Sequence, residues 1–179
     1  MKLDEAKEKF IQAWGVLGTS WGISRTKAQI HALLLVSAQP LSAQEIIDTL
    51  SVSQGSTNMN LRALIDWQLI EKTVKIGERK EYFSAEKDMW EITRRVMRER
   101  RKRELEPILK MLDDVKNIEL SEEEKKKIEN TELIAQKSKE IEEFKEMMNQ
   151  IDSFANRAEK ALDVIIKASE SKIVERFLK

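Results

Sequence analysis

The residue inventory limits the chemistry open to this chain. There is no cysteine and a single histidine, His31. Disulfides, thiolate nucleophiles and cysteine metal sites are therefore excluded, and a zinc site would have to lean on carboxylates. Neither a glycine-rich phosphate loop nor a nucleophile–base pair is evident, so no enzyme, catalytic residue, cofactor or metal is expected. The polar side chains that do concentrate lie in VSQGSTNMNLRALIDWQLI, residues 52–70. Its front half is small and polar, whereas Leu61, Leu64, Ile65 and Leu69 bring in an apolar helical beat. Asn and Gln carry a donor and an acceptor side by side and can pair bidentately with adenine, while Met59 suits a thymine methyl. The alternative use of Ser and Asn there is local, as caps and turn formers.

Several elements must position that stretch. Residues 3–21 place Leu3, Ala6, Phe10, Ala13, Trp14, Leu17 and Trp21 at helical spacing, and a second helix over 24–38 ends before Pro40. Ser42-Ala-Gln-Glu45 reads as a capping box opening a short helix that buries Ala43, Ile46, Ile47 and Leu50. A turn at Ser51-Val52 and an N-cap at Ser53 start the next helix. From Ile70 to Ile76 the apolar period becomes two, Gly77 supplies a tight turn, and Tyr82-Phe83-Ser84 suits a return strand, giving a β-hairpin over 71–84. A long helix is expected from about Ser84 to Asn117, kinked or interrupted at Pro107.

Short helix, tight turn, helix and hairpin form the order of a winged helix-turn-helix. In that arrangement the C-terminal half of the second helix is moored and its N-terminal half projects into a major groove about 12 Å wide. On a helical wheel anchored by Leu61, Leu64 and Ile65, the outward positions are Gly55, Ser56, Met59, Arg62, Ala63 and Asp66. This phase makes Gln54, Ser56 and Met59 central, Asn58 and Asn60 flanks, and Arg62 a phosphate clamp. The full candidate DNA-binding set is Ser42, Ser53, Gln54, Ser56, Asn58, Met59, Asn60 and Arg62, with Lys75, Arg79 and Lys80 of the hairpin and Arg94, Arg95 and Arg98 beyond it.

The stretch LSAQEIIDTLSVSQGSTNMNLRALIDWQLIEKTVKIGERKEYFSAE resembles the winged-helix core of MarR-type transcription regulators, and more closely their GbsR branch. Leu61-Arg62-Ala63-Leu64-Ile65-Asp66-Trp67 is similar to the branch's helix anchor, and Gly77-Glu78-Arg79-Lys80-Glu81-Tyr82 to its wing. The resemblance is good over about residues 10–92, weaker to about 117, and little beyond helicity thereafter. It implies a homodimer on a pseudo-palindromic double-stranded operator, usually acting as a repressor, and in some members a quaternary-amine effector. Gly-Glu-Arg replaces the broader family's acidic wing triplet, so wing contacts carry over most safely to Arg79 and Lys80.

Charge is partitioned along the chain. Residues 1–92 carry a net −1, residues 93–103 a net +6 and residues 104–179 a net −5. Arg94 to Arg103 is either a helix face paired with Glu99, Glu104 and Glu106, or additional phosphate contact. Trp14, Trp21, Trp67 and Trp90 are candidates for an effector-binding aromatic cage, or core packing. Residues 108–179 contain neither Gly nor Pro and read as long helix, with a capping box at Ser121-Glu-Glu-Glu124. Ile134, Ile141, Met148, Ala155 and Leu162 recur every seven residues, as do Phe144, Ile151, Ala158 and Ile165, with Lys137 the flaw at the start. The seam then shifts through Leu162, Ile166, Ile173 and Phe177. Ile134, Ile141, Phe144, Met148, Ile151, Leu162 and Ile165 are the dimerisation candidates, an intrachain bundle being the alternative.

The expected fold is mainly α with a small β-wing: a winged helix-turn-helix head over 1–92 and a helical linker and coiled-coil-like dimerisation region over 93–179. No run approaches the ~20 apolar residues of a membrane span, and no signal peptide opens the chain, so no membrane partner and a cytoplasmic location are expected. The competing reading is a winged-helix protein–protein interaction module with a helical scaffold tail.

Overall fold

The computed structural model describes residues 1–119, 121 and 131–169. The chain divides into two compact units, Met1–Val96 and Met97–Lys179. In order, the elements are α1 (Leu3–Ser20), α2 (Arg25–Val36), β1 (Leu41–Ser42), α3 (Ala43–Leu50), α4 (Gln54–Asp66), β2 (Ile70–Val74), β3 (Glu81–Ala85) and α5 (Met89–Arg100). A π-helical segment (Arg101–Leu105), α6 (Glu106–Val115) and α7 (Thr131–Ser169) follow.

Within the first unit, α2, α3 and α4 bury one apolar face each around Ile30, Leu34, Ile46 and Leu64, all almost completely withdrawn from water. Each such side chain contributes roughly 1.5–3 kcal/mol through burial. α1 packs closely on α2: a Cβ at Gly18 would lie 2.5 Å from the Ala28 Cβ, so only glycine permits that approach. The antiparallel sheet has the order β1-β3-β2. Leu41 pairs with Phe83 and Ser42 with Tyr82, while Ile70 to Val74 run opposite Ala85 to Glu81. Phe83 and Ala85 face the core, and Gly77 turns the hairpin with a φ of 84°. The mainly helical winged architecture expected from the sequence is therefore present.

Two local features depart from expectation, while the interruption expected at Pro107 is present. β1 is too short to show an alternating pattern and was not foreseen. The continuous helix from Ser84 does not form, because Ser84 belongs to β3 and α5 begins at Met89. Farther on, the Glu106 N–H donates to the Arg101 carbonyl, a five-residue reach. This π-helical register lies immediately before Pro107, whose nitrogen has no proton to give.

In the second unit, Arg101 reaches Glu159 at 2.7 Å and also pairs with Asp163, while Lys145 approaches Glu119 at 3.9 Å. α6 and α7 therefore run antiparallel. Leu112, Ala155 and Ile166 are buried there. The expected heptad seam splits: Ile134, Ile141, Met148 and Leu162 are half-buried within their own chain, whereas Phe144, Ile151, Ala158 and Ile165 are exposed. Of the remaining expectations, Glu122 to Glu124 of the capping box and Ile173 and Phe177 of the shifted seam lie outside the described residues.

His31 is buried on α2, its ring 6.3 Å from that of Trp14. Its Nε2 meets no hydrogen-bond partner among the described residues. Burial, and secondarily the Lys87 ammonium, lowers its pKa from 6.5 to about 4. The unfolded chain therefore takes up this proton first. Stability is complete above pH 6.5 and drains as pH falls through about 4. The expected loss is about 3 kcal/mol, and His31→Leu should remove it. Urea unfolding of both proteins at pH 7.5 and 4.5 checks this: the wild type must lose more stability than the variant.

Candidate nucleic-acid interface

α4 begins with Ser53 as N-cap, its hydroxyl accepting from the Ser56 N–H at 3.3 Å. Thr57, fully buried, donates its hydroxyl to the Ser53 carbonyl at 3.0 Å. Farther along, Leu61 and Leu64 enter the core. The helix ends in a Schellman closure, with Gln68 at a φ of 58°, its N–H on the Ile65 carbonyl and the Leu69 N–H on the Leu64 carbonyl. Both ends of α4 are thus fixed by short-range bonds, and its inner face by apolar burial.

What remains outward is Gln54, Gly55, Asn58, Met59, Arg62 and Asp66. Met59 is 64% exposed, high for an apolar residue held on a rigid helix. Asn58, expected as a flank, stands fully on this face, whereas Ser56 turns partly inward. Asn60 is corrected more strongly. At 3% exposure it is buried, its amide donating to the Ser56 carbonyl at 2.9 Å and its Oδ1 accepting from the Ser24 hydroxyl at 3.3 Å. It joins α4 to the N-cap of α2 and presents nothing outward.

Ser42 is likewise withdrawn. It is buried, and its hydroxyl donates to Glu45 Oε2 at 2.6 Å while the Ser42 N–H donates to the same atom at 2.7 Å. These two bonds hold the Glu45 carboxyl below its usual pKa, with Lys75 and Lys80 adding in the same direction. The capping box of α3 is thereby coupled to the hairpin charges. On the hairpin, Lys72 pairs with Glu81 at 2.8 Å, Lys75 lies 4.2 Å from the Tyr82 ring centroid, and the Tyr82 hydroxyl donates to Glu78 at 2.5 Å. Among the described residues, no ion pair engages Arg62, Arg79 or Lys80, all of which are exposed. The exposed polar side chains of α4 and the exposed hairpin cations Arg79 and Lys80 are of the residue types that contact base edges and phosphates.

Residues 21–80 match the MarR family. The matched MarR-like segment contains α2, α3, α4 and the outgoing hairpin strand with its tip. No curated protein matches the chain. A solved structure described as the crystal structure of a transcriptional regulator is 18% identical, with the alignment covering 90% of this chain and 99% of that one at a TM-score of 0.54. At this identity the likeness concerns the fold.

Outside the MarR-like segment, the basic run is largely spent on internal pairs. Arg94 and Arg95 both bind Glu91, Arg95 lies 3.4 Å from Glu86, and its guanidinium also donates to the Gln68 carbonyl at the end of α4. Burial raises the Glu91 pKa, but hydrogen bonds from Arg95 and Arg94 outweigh it and the net shift is downward. Arg100 pairs with Glu104 at 3.0 Å, Arg101 with Glu159, and Arg103 with Glu99. Arg98 is exposed. Arg95 ties α5 to the end of α4, while Arg94 pairs with Glu91 within α5, so the paired-face alternative describes both residues.

The tryptophans also take separate tasks. Trp14 packs against Phe10 at 5.3 Å and against His31. Trp67 is buried with the Lys27 ammonium 4.7 Å from its ring centroid, so a cation of the chain's own already covers that face. Trp21 and Trp90 are about half exposed. The side-chain surroundings of Trp14 and Trp67 are those of core residues.

The two asparagines of α4 are expected to separate cleanly on substitution. Asn60→Ala should cost about 1–3 kcal/mol, since it strands the Ser24 hydroxyl and removes the bonds to Ser56. Asn58→Ala should stay within about 0.5 kcal/mol of wild type. Thermal and urea unfolding of the two variants test this directly, and equal costs would contradict the burial assignment.

Proposed function

We propose that the chain is a sequence-specific duplex-DNA-binding transcription regulator that acts as a homodimer on a pseudo-palindromic operator, in the manner of GbsR-type repressors. The observation that carries this reading is the outward set Gln54, Asn58, Met59 and Arg62 on a moored α4, together with the exposed Arg79 and Lys80 at the hairpin tip. The MarR match over residues 21–80 supports it. So does the fold-level likeness to a protein described as a transcriptional regulator.

In mechanism, the N-terminal half of α4 enters the major groove. Gln54 and Asn58 offer paired donors and acceptors to base edges, Met59 packs on thymine methyls, and Arg62 with Arg79 and Lys80 neutralises phosphates. Two heads about 34 Å apart would meet successive grooves on one side of the duplex. Repression then follows from occupancy, and an effector would act only through its differential affinity for the bound and unbound arrangements. The near-neutral head gives little general attraction to DNA, so specificity must come from these few side chains.

Selection from random duplexes should yield a repeated half-site. Arg62→Ala, Arg79→Ala and Lys80→Ala should each weaken binding similarly across sequences and lower the log–log salt slope by about 0.9. Asn58→Ala and Gln54→Ala should instead relax base preference by roughly 1–3 kcal/mol at individual positions. Arg94→Gln should leave the salt slope unchanged. Absence of an enriched site, or binding indifferent to salt, overturns the proposal.

A further inference from the structure

The exposed face of α7 carries a repeat different from the expected seam. Phe144, Met147, Ile151, Phe154, Ala158, Ala161, Ile165 and Ala168 alternate at spacings of three and four, the signature of a coiled-coil stripe. The large members are conspicuously wet, Phe154 being 73% exposed and Met147 53%. Meanwhile Met148 and Ala155, one position beyond Met147 and Phe154, are covered within their own chain. The helix thus has one face packed intramolecularly and a neighbouring apolar stripe with no partner among the described residues.

We infer that this stripe is covered by the α7 of a second copy, running antiparallel about a two-fold axis near Asn149. The side chains select that register. Antiparallel pairing sets Phe144 against the partner copy's residue at position 154 and Met147 against position 151, four apolar layers across the two-fold. The two charged residues that interrupt the repeat, Lys137 and Glu140, then fall opposite positions 161 and 158, which are alanines with room for long aliphatic stems. Leu133 falls opposite position 165, an isoleucine. Flanking the stripe, Glu143 meets position 157, an arginine, twice by symmetry. An open groove of about 720 Å³ beside the stripe is lined by Glu143, Gln150, Phe154 and Arg157.

A parallel, in-register pair is disfavoured by the same residues. It would stack Lys137 on Lys137 and Glu140 on Glu140, and oppose alanine to alanine farther along. Because α7 runs Thr131–Ser169, an axis near its middle overlaps almost the whole helix. That is roughly 55 Å of contact, ample for the ~800 Å² per partner of a stable interface.

This inference rests on the dimeric reading above and specifies its contact surface. The chain's lack of cysteine allows a direct test. Phe144→Cys and Phe154→Cys, combined in one chain, should give a covalently linked dimer on mild oxidation. Each single variant should link poorly. The two positions lie about 15 Å apart along one helix, too far for an intrachain bridge. Glu143→Arg should raise the dimer dissociation constant at least ~10-fold in sedimentation, and adding Arg157→Glu should restore it. Efficient self-linking of Phe154→Cys alone, or no rescue in the charge swap, overturns the antiparallel seam while leaving a dimer intact. A wild-type monomer at tens of micromolar, with operator binding retained, overturns the dimer and this interface together but not DNA recognition.

Discussion

The burial of one face of α4 decides the meaning of every polar residue in it. Leu61 and Leu64 sink into the core shared with Ile30, Leu34 and Ile46, and a rigid helix has no freedom to turn one side chain without turning all. Once those leucines are fixed, Asn60 must point inward and Asn58 must point outward. The buried asparagine is tolerable only because its carboxamide is satisfied by Ser56 and Ser24. The same constraint converts Ser24 from a cap of α2 into a tie between two helices. These contacts hold the outward side chains of α4 at fixed positions from the inside.

The hairpin is positioned by a comparable economy of contacts. β1 is only two residues long, yet it pairs with β3 and ends at Ser42, the residue that caps α3. The sheet and the helix-turn-helix thus share a joint at Ser42 and Glu45. At the other end of β3, the chain leads through Lys87, whose ammonium donates to the carbonyls of Leu34, Leu35 and Ser37 at the end of α2. A cation at a helix C-terminus is electrostatically well placed, and burial lowers its pKa without removing that fit. Arg95 performs a similar service at the end of α4 through the Gln68 carbonyl. The ends of α2 and α4 are therefore both closed by basic side chains that the linear sequence offers no reason to single out.

The basic run after the hairpin illustrates how composition misleads. Seven cations in eleven residues, read along the chain, suggest a phosphate-binding surface. Helical geometry instead sets Glu91, Glu99 and Glu104 three or four residues from arginines, where pairs form readily. The acidic partners Glu159 and Asp163 are about sixty positions away in sequence and could be assigned only once α7 was seen beside the π-helical segment. Arg62, Arg79 and Lys80, which enter no ion pair among the described residues, are a shorter and more dispersed set of cations, in a head whose own net charge is close to neutral.

The sequence by itself determined the order of the helices in the first unit, the hairpin with its turn at Gly77, the capping box of α3, and the apolar anchor of α4 at Leu61 and Leu64. These depend on periodicity, caps and turn residues, all local interactions legible within a few positions. It also determined the helical character of the C-terminal region, through the absence of Gly and Pro. Only the tertiary structure decided which polar residues face outward, because Asn58 and Asn60 differ by a rotation that depends on what α4 packs against. Only the tertiary structure joined Arg95 to the Gln68 carbonyl and Arg101 to Glu159 and Asp163, placed Lys27 over Trp67, and added β1 to the sheet. And it split the heptad pattern of α7 into a covered face and a wet one, since a repeat states that an apolar stripe exists but not which helix lies against it.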